Sequence, residues 1–383
     1  MQRSDIAIIG AGIMGVSAAC ELARKGARVV VIDQAHLPNP RAASVDHSKV
    51  FRFAYPDPLY AKLAVDALAR WRALELRTGA KLHTQTGALL IARSDQSIEA
   101  EYYKTLRSLG LECDKLDSRL VSAHFPQFNS RAFAYGVYDP SGAILHAEGA
   151  VRALIKLAIA SGVRFVEGER VVELKQGKWS SLTITSESGH KVECERAMVS
   201  SGPWSRILLP LLAKKLTTTR QELVYFEPKP GQNRVSFEPD SFPIFLELDS
   251  GFYGFPIHHN GAMKIANHHK GVEIDPNGDP QQVGEDFIKR CREFFAQFIP
   301  ALEDATVSET NICYYNNTPD DDFIIDWHPE MSGILIVTGF SGHGFKFGPT
   351  IGRIAADLLL QGEASFNIDR FGIKRFNNIE EKI

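Results

Sequence analysis

The stretch IAIIGAGIMG, Ile6 to Gly15, reads as a short apolar strand running into Gly10-x-Gly12-x-x-Gly15 and then a helix from Val16 to Lys25. Each glycine serves a physical purpose. Gly10 permits a tight turn, Gly12 the close approach of a pyrophosphate, and Gly15 close helix–strand packing. The helix N-terminus adds free N–H groups and a positive dipole end. A second strand, Arg28 to Ile32, ends at Asp33, 23 residues beyond Gly10 and close to the spacing at which a carboxylate hydrogen-bonds a ribose. Strand, glycines, helix, strand and acid in register predict a dinucleotide site. The same stretch is not expected to be a signal or anchor, since it lacks a basic n-region and Glu21, Arg24 and Lys25 interrupt the apolar run.

A chain of 383 residues has room for two domains and a substantial core. A net charge of −3 provides no basic field for nucleic acid, and no segment is apolar enough for a membrane partner. The five cysteines are widely spaced and form no CxxC pair, which fits a reducing, cytoplasmic setting better than a disulfide framework. His258-His259, His268-His269 and Asp320 to Asp322 lack the spacing of a metal site. No metal is expected, and the three aspartates read as a solvated turn.

Beyond the ribose acid, His36 to Tyr55 reads as an irregular loop, long enough to be functional rather than a mere connection. Helices are expected over Pro58–Leu76, Gln96–Leu109, Asp117–His124, Ala147–Ser161 and Pro280–Phe298, with a last one over Thr350–Leu360. Strand character falls at Lys81–Ala92, Val163–Glu167, Arg170–Lys175, Ser181–Ser186 and Lys191–Val199, the last ending in SSGPWS. It returns at Leu216–Pro228, Pro243–Pro256, Val307–Tyr315 and Gly333–Thr338. The C-terminal GFSGHGFKFGP then leads into a helix and offers a second place where backbone N–H groups could face an electron-rich ring.

GAGIMG, the SKVFRFAY loop, GFYGFP followed by MKIANHH, CYYNNTPDDDFIID and GFSGHGFKF together resemble the monomeric sarcosine oxidase family, in the same order and over nearly the whole chain. These are FAD-dependent amine oxidases acting on sarcosine, N-methyltryptophan, pipecolate, saccharopine and fructosyl amino acids. The resemblance implies an α/β fold. Discontinuous segments 1–80, 140–215 and 318–383 would form a Rossmann-like FAD domain, and 81–139 with 216–317 a mainly antiparallel substrate domain.

It further implies that Gly10, Gly12, Ile13, Met14, Gly15 and Asp33 hold the ADP half of FAD, with Ser48, Lys49, Val171 and Gly202 also at the cofactor. Cys313 corresponds to a cysteine joined to the flavin by a thioether, and Gly342, His343, Gly344 and Lys346 to the segment along the ring edge. Lys264 matches the lysine that activates dioxygen, and His268 the active-site histidine. Arg52 with Lys346 matches the pair that holds a substrate carboxylate, and Tyr315 a tyrosine near the substrate. Lys49 stands where the sarcosine enzymes carry Arg and the fructosyl enzymes Lys, and Leu246 replaces a methionine of the pocket strand. Both departures point to a substrate larger than sarcosine. The expected reaction is oxidation of the C–N bond of an N-substituted or cyclic amino acid to an imine by a monomeric enzyme, with O2 reduced to H2O2. A flavin dehydrogenase using another electron acceptor is the alternative of a different class. A nicotinamide enzyme would share the first motif but not the glycine-rich C-terminal return.

Overall fold

Alternating apolar runs at the two ends of the chain converge on one mixed sheet. The computed structural model describes residues 2–177, 181–258, 260–278 and 282–377. Gln2–Ile9 lies at the centre of eight strands, between Val29–Ile32 and Lys191–Val199, both parallel to it. Arg164–Val166 extends the sheet beyond Val29–Ile32, while Leu182–Ser186 and Val171–Gln176 extend it antiparallel on the other side. Ile334–Thr338 runs parallel to the C-terminal half of Lys191–Val199 and carries Ile324–Trp327 on its outer edge. The register pairs Ile9 with both Ile32 and Val199, and Val199 with Ile336. The Gly10 turn, Asp33, the Ser200–Gly202 turn and the segment after Thr338 therefore leave the sheet at one edge. Ligands of open α/β sheets bind at that carboxyl edge.

Helices Ile13–Arg24 and Gly348–Gln361 cover one face and tie the chain's ends together. Their axes approach so closely that a Cβ at Gly352 would stand 2.6 Å from the Ser17 backbone carbon. Helix Pro58–Thr78 starts at Asp57, whose carboxylate accepts from Leu59 N at 2.8 Å, with Pro58 in the first turn where its missing N–H is not needed. Its buried Trp71 donates to the Lys346 carbonyl at 2.8 Å, which anchors the C-terminal glycine-rich segment from behind.

A second eight-stranded sheet runs in the order Thr306–Asn317, Thr217–Glu227, Met263–Asn267, Phe252–Gly254, Ile244–Glu247, Ala88–Ala92, Tyr135–Asp139, Asp114–Asp117. Its pairings are antiparallel except that of Ile244–Glu247 with Ala88–Ala92. Helix Glu285–Phe298 packs Phe287, Phe294, Phe295 and Phe298 against it. Each such ring contributes about 1.5–3 kcal/mol by burial.

The fold is α/β, and several elements differ locally from expectation. The supposed loop His36–Tyr55 contains a strand, Ser48–Phe51, that pairs with Ala143–His146 in a three-stranded sheet completed by His83–Gln85. Lys81–Ala92 divides between two sheets, because Gly87 (φ 71°) turns the chain after Gln85. Pro243–Pro256 is a hairpin rather than one strand. The helix expected from Pro280 starts at Glu285, and Pro280 lies outside the described residues, as does His259. Asp322 is no solvated turn residue: it is buried, accepts from Tyr60 Oη at 2.8 Å and pairs with Arg370 at 2.5 Å.

Candidate active site

A long cleft opens where the carboxyl edge of the first sheet meets the second sheet. Gly10, Gly12, Ile13, Met14, Asp33, Lys49, Val171, Gly202, Cys313, Tyr315, Gly342 and Gly344 all line it. Asp33 is buried, and its carboxylate accepts from Ala11 N at 2.8 Å, Ala35 N at 3.1 Å and Asn39 Nδ2 at 3.0 Å. Burial raises its carboxyl pKa, and those donors pull the other way. Ser44 Oγ accepts from Ile13 N at 2.9 Å at the start of the first helix. Gly15 does not face the cleft. A Cβ there would stand 1.9 Å from the Gly10 carbonyl, so its lack of a side chain allows the helix to sit on the turn. Replacing Gly15 by Val should cost about 1–3 kcal/mol of stability through overpacking and should empty the site, as measured by thermal melting and by flavin content per chain.

Strand Ser48–Phe51 and the long strand Thr306–Asn317 bring Lys49 Nζ to 3.4 Å from Cys313 Sγ. Behind them Asp46 is buried and accepts from Lys264 Nζ, from Tyr225 Oη at 2.6 Å and from His47 N at 2.8 Å. Lys49 Nζ lies 3.8 Å from the same carboxylate. Burial alone would raise the Asp46 carboxyl, but Lys264 and Lys49 outweigh it and hold it down to about 2. Burial depresses the Lys264 ammonium below its ordinary value, with Asp46 opposing. Ser48, expected at the cofactor, offers its carbonyl to Lys264 Nζ at 2.8 Å.

A second group of cations gathers around Tyr55. The Arg52 guanidinium lies 4.3 Å from the Tyr55 ring centroid and 5.6 Å from that of Tyr102. Its Nη1 is buried with no hydrogen-bond partner. Lys346 Nζ donates to Tyr55 Oη at 2.9 Å and to the His343 carbonyl at 2.8 Å. Burial and then Arg52 push the Lys346 pKa well below its ordinary value. His268 is lowered to about 4 by burial, then by Arg52 and Lys346, so its imidazole is neutral at physiological pH. Its Nδ1 is 3.5 Å from Tyr315 Oη, itself 3.5 Å from Tyr253 Oη. Leu246 is buried opposite Tyr253 in the neighbouring strand and, like Arg52, Lys264 and His268, lies beside the cleft rather than on its wall. His343 packs its ring on Tyr60 and Phe323 and lies behind the cleft, as does Lys346.

Asp46, Tyr55 and Asp139 are among the residues of this arrangement that stand in none of the roles expected from sequence. Asp139 accepts from Phe53 N at 2.7 Å and Ala54 N at 2.9 Å, and so holds the turn that presents Arg52. The YDPSG run signals a turn at this place, but not its grip on a segment 86 residues earlier.

A cleft at the carboxyl edge of a mixed sheet, closed by a second, mainly antiparallel sheet, has the layout of a dinucleotide-binding enzyme. The family model described as DAO, FAD dependent oxidoreductase, matches residues 5–358, and the chain belongs to that family. Within it the chain is 32% identical to the peroxisomal sarcosine oxidase of Mus musculus, covering 98% of this chain and 97% of the relative. It is 30% identical to the monomeric sarcosine oxidase of Bacillus sp., covering 97% and 96%. Among solved structures, L-proline dehydrogenase from P. horikoshii superposes with a TM-score of 0.86 at 20% identity, covering 98% of both chains. The glycine turn, Asp33 and the first helix N-terminus fit the phosphates and ribose of FAD. Among the described residues no helix is long and apolar enough to cross a membrane.

Proposed function

We propose that this protein oxidises the C–N bond of an N-substituted or cyclic amino acid to an imine and uses dioxygen as electron acceptor, releasing hydrogen peroxide. The observation that carries this reading is the pair Arg52 and Lys346, buried on either side of Tyr55, with Arg52 Nη1 lacking a partner. Unpaired cations are expensive in a shielded site, so an anionic substrate group completes it. Arg52 takes the carboxylate, and Lys346 supplies the second charge. Neutral His268 and the hydroxyls of Tyr315 and Tyr253 offer hydrogen bonds without adding charge. Bound FAD supplies the acceptor for the two electrons of the C–N bond. Lys264 places a cation next to that region through its contact with Asp46, the neighbour of cleft-lining Lys49.

The similarity to sarcosine oxidases supports the choice of amine over alcohol chemistry, and the Bacillus relative's name supports a monomer. We place the enzyme in the cytoplasm, where its five free cysteines remain reduced. A peroxide-coupled screen of N-methyl, cyclic, dicarboxylic and fructosyl amino acids tests the reading. Flavin reduction without peroxide would assign electron transfer to another acceptor instead, and no reduction by any amine would end the proposal.

Covalent attachment of FAD through Cys313 belongs to the same reading and is supported by the sulfur's place on the cleft wall. After acid precipitation the flavin should remain with the polypeptide, and Cys313→Ala should release it into the supernatant. Free flavin from the unaltered protein would exclude the bond.

A further inference from the structure

The structure brings together three chain segments on one carboxylate, Asp46, which lies in none of the sequence motifs. Its Oδ2 receives Lys264 Nζ, and both side chains are 1% exposed. Its Oδ1 is filled by Tyr225 Oη at 2.6 Å and His47 N at 2.8 Å, so the carboxylate cannot rotate without losing both. The Lys264 ammonium is held in turn by Asp46, by the Ser48 carbonyl at 2.8 Å and over the Phe255 ring at 4.8 Å. An ammonium at this depth has no water to stabilise its charge, and without a counter-ion it would release its proton.

We infer that Asp46 is a positioning residue for the oxidase half of the reaction: it keeps Lys264 protonated and fixed beside the flavin site. This rests on the flavin oxidase reading for its purpose, although the ion pair itself does not. The charged and titratable groups around Lys264 and its counter-ion are Asp46, His47 and Lys49 from the N-terminal loop and strand, Tyr225, Glu309 and Cys313 from the second sheet, and His258 beyond the hairpin. Lys49 and His258 bring no negative charge, and Tyr225 is held protonated by burial and Asp46. Cys313 Sγ meets Lys49 rather than Lys264, and the Glu309 carboxylate is partly exposed and taken by His47 and Asn260, so the carboxylate in contact with Lys264 is that of Asp46. The same carboxylate lies 3.8 Å from Lys49, which in turn touches Cys313 on the cleft wall. One anion thus balances two lysines, and its removal would leave two neighbouring cations in repulsion.

The test has two arms. In flavin-free protein, Asp46→Asn should leave Lys264 neutral when folded but protonated when unfolded at any pH below its ordinary value near 10.4. The unfolded state then binds more protons, so the stability of Asp46→Asn should rise with pH between about 7 and 10, with a slope of up to one proton relative to the unaltered chain. The double variant Asp46→Asn with Lys264→Met should lose that slope. A purely structural role would lower the melting temperature by the same amount at every pH, and that parallel displacement would overturn the proposal. In the loaded enzyme, reoxidation of reduced flavin by O2 should be nearly independent of pH from 7 to 9 in the unaltered chain. In Asp46→Asn it should be slowed about 10- to 100-fold across that range, while Asp46→Glu restores part of the rate. Reoxidation of Asp46→Asn at the unaltered rate throughout would also overturn the proposal. If the unaltered enzyme itself fails to reduce O2, the oxidase reading falls, whereas the pH slope of the flavin-free protein still judges the Asp46–Lys264 pair.

Discussion

Matched amino acids and their decarboxylated amines are expected to differ in kcat/KM by about 30-fold to several thousandfold in favour of the acid, equivalent to about 2–5 kcal/mol. The amine leaves Arg52 with its buried Nη1 still unpartnered and Lys346 still facing a second cation, so the site loses the contact for which it is built. Arg52→Ala should abolish most of the acid's advantage while leaving the amine almost unchanged. Proton accounting gives an independent check. Lys346 has its pKa depressed by burial and by Arg52, and an anion bound beside it favours the charged form. Binding of the acid should therefore take up protons from solution at alkaline pH, measured by calorimetry in buffers of different ionisation enthalpy. Equal turnover of acid and amine, or an unchanged gap in Arg52→Ala, would show that no carboxylate sits there.

Lys264→Met should slow reoxidation of the reduced flavin by O2 by about two to three orders of magnitude, yet leave anaerobic reduction by substrate within about tenfold. The asymmetry follows from place. Lys264 belongs to the Asp46 group behind Lys49 and Cys313, whereas the substrate cations lie around Tyr55. A superoxide-like charge developing in a low-dielectric pocket gains most from a fixed cation, while a neutral amine gains little. Rapid mixing of each half-reaction separates the two effects. Equal losses in both would assign Lys264 to packing or substrate binding.

Local signals in the sequence were sufficient wherever the chemistry is local. The Gly10–Gly15 turn and Asp33 are joined by a fixed spacing, and the register of Ile9 with Ile32 follows from it. Cys313, Lys264 and Arg52 each stand inside a run of residues that carries the resemblance, and the structure buries all three. What escaped is tertiary. Ser48–Phe51 looked like loop because a four-residue strand has little periodicity, and its partner Ala143–His146 is remote in the chain. Asp46 resembled any polar loop residue, and only the meeting of Lys264 and Tyr225 from two strands of the other sheet reveals it as buried. Asp322 was misread for the same reason, with Tyr60 and Arg370 closing over one of three consecutive aspartates.

The cleft draws its walls from Gly10, Lys49, Gly202, Cys313 and Gly342, and strand Ile334–Thr338 docks on Lys191–Val199. This distribution sets a timetable for biosynthesis. A nascent chain cannot complete the walls of the cofactor site until Gly342 and Gly344 have left the ribosome, and the helix Gly348–Gln361 that backs the first helix comes later still. Pairings of such long sequence separation form slowly and leave sheet edges open meanwhile. Flavin loading is thus expected to wait until the strand Ile334–Thr338 and the glycine-rich segment after it have been made.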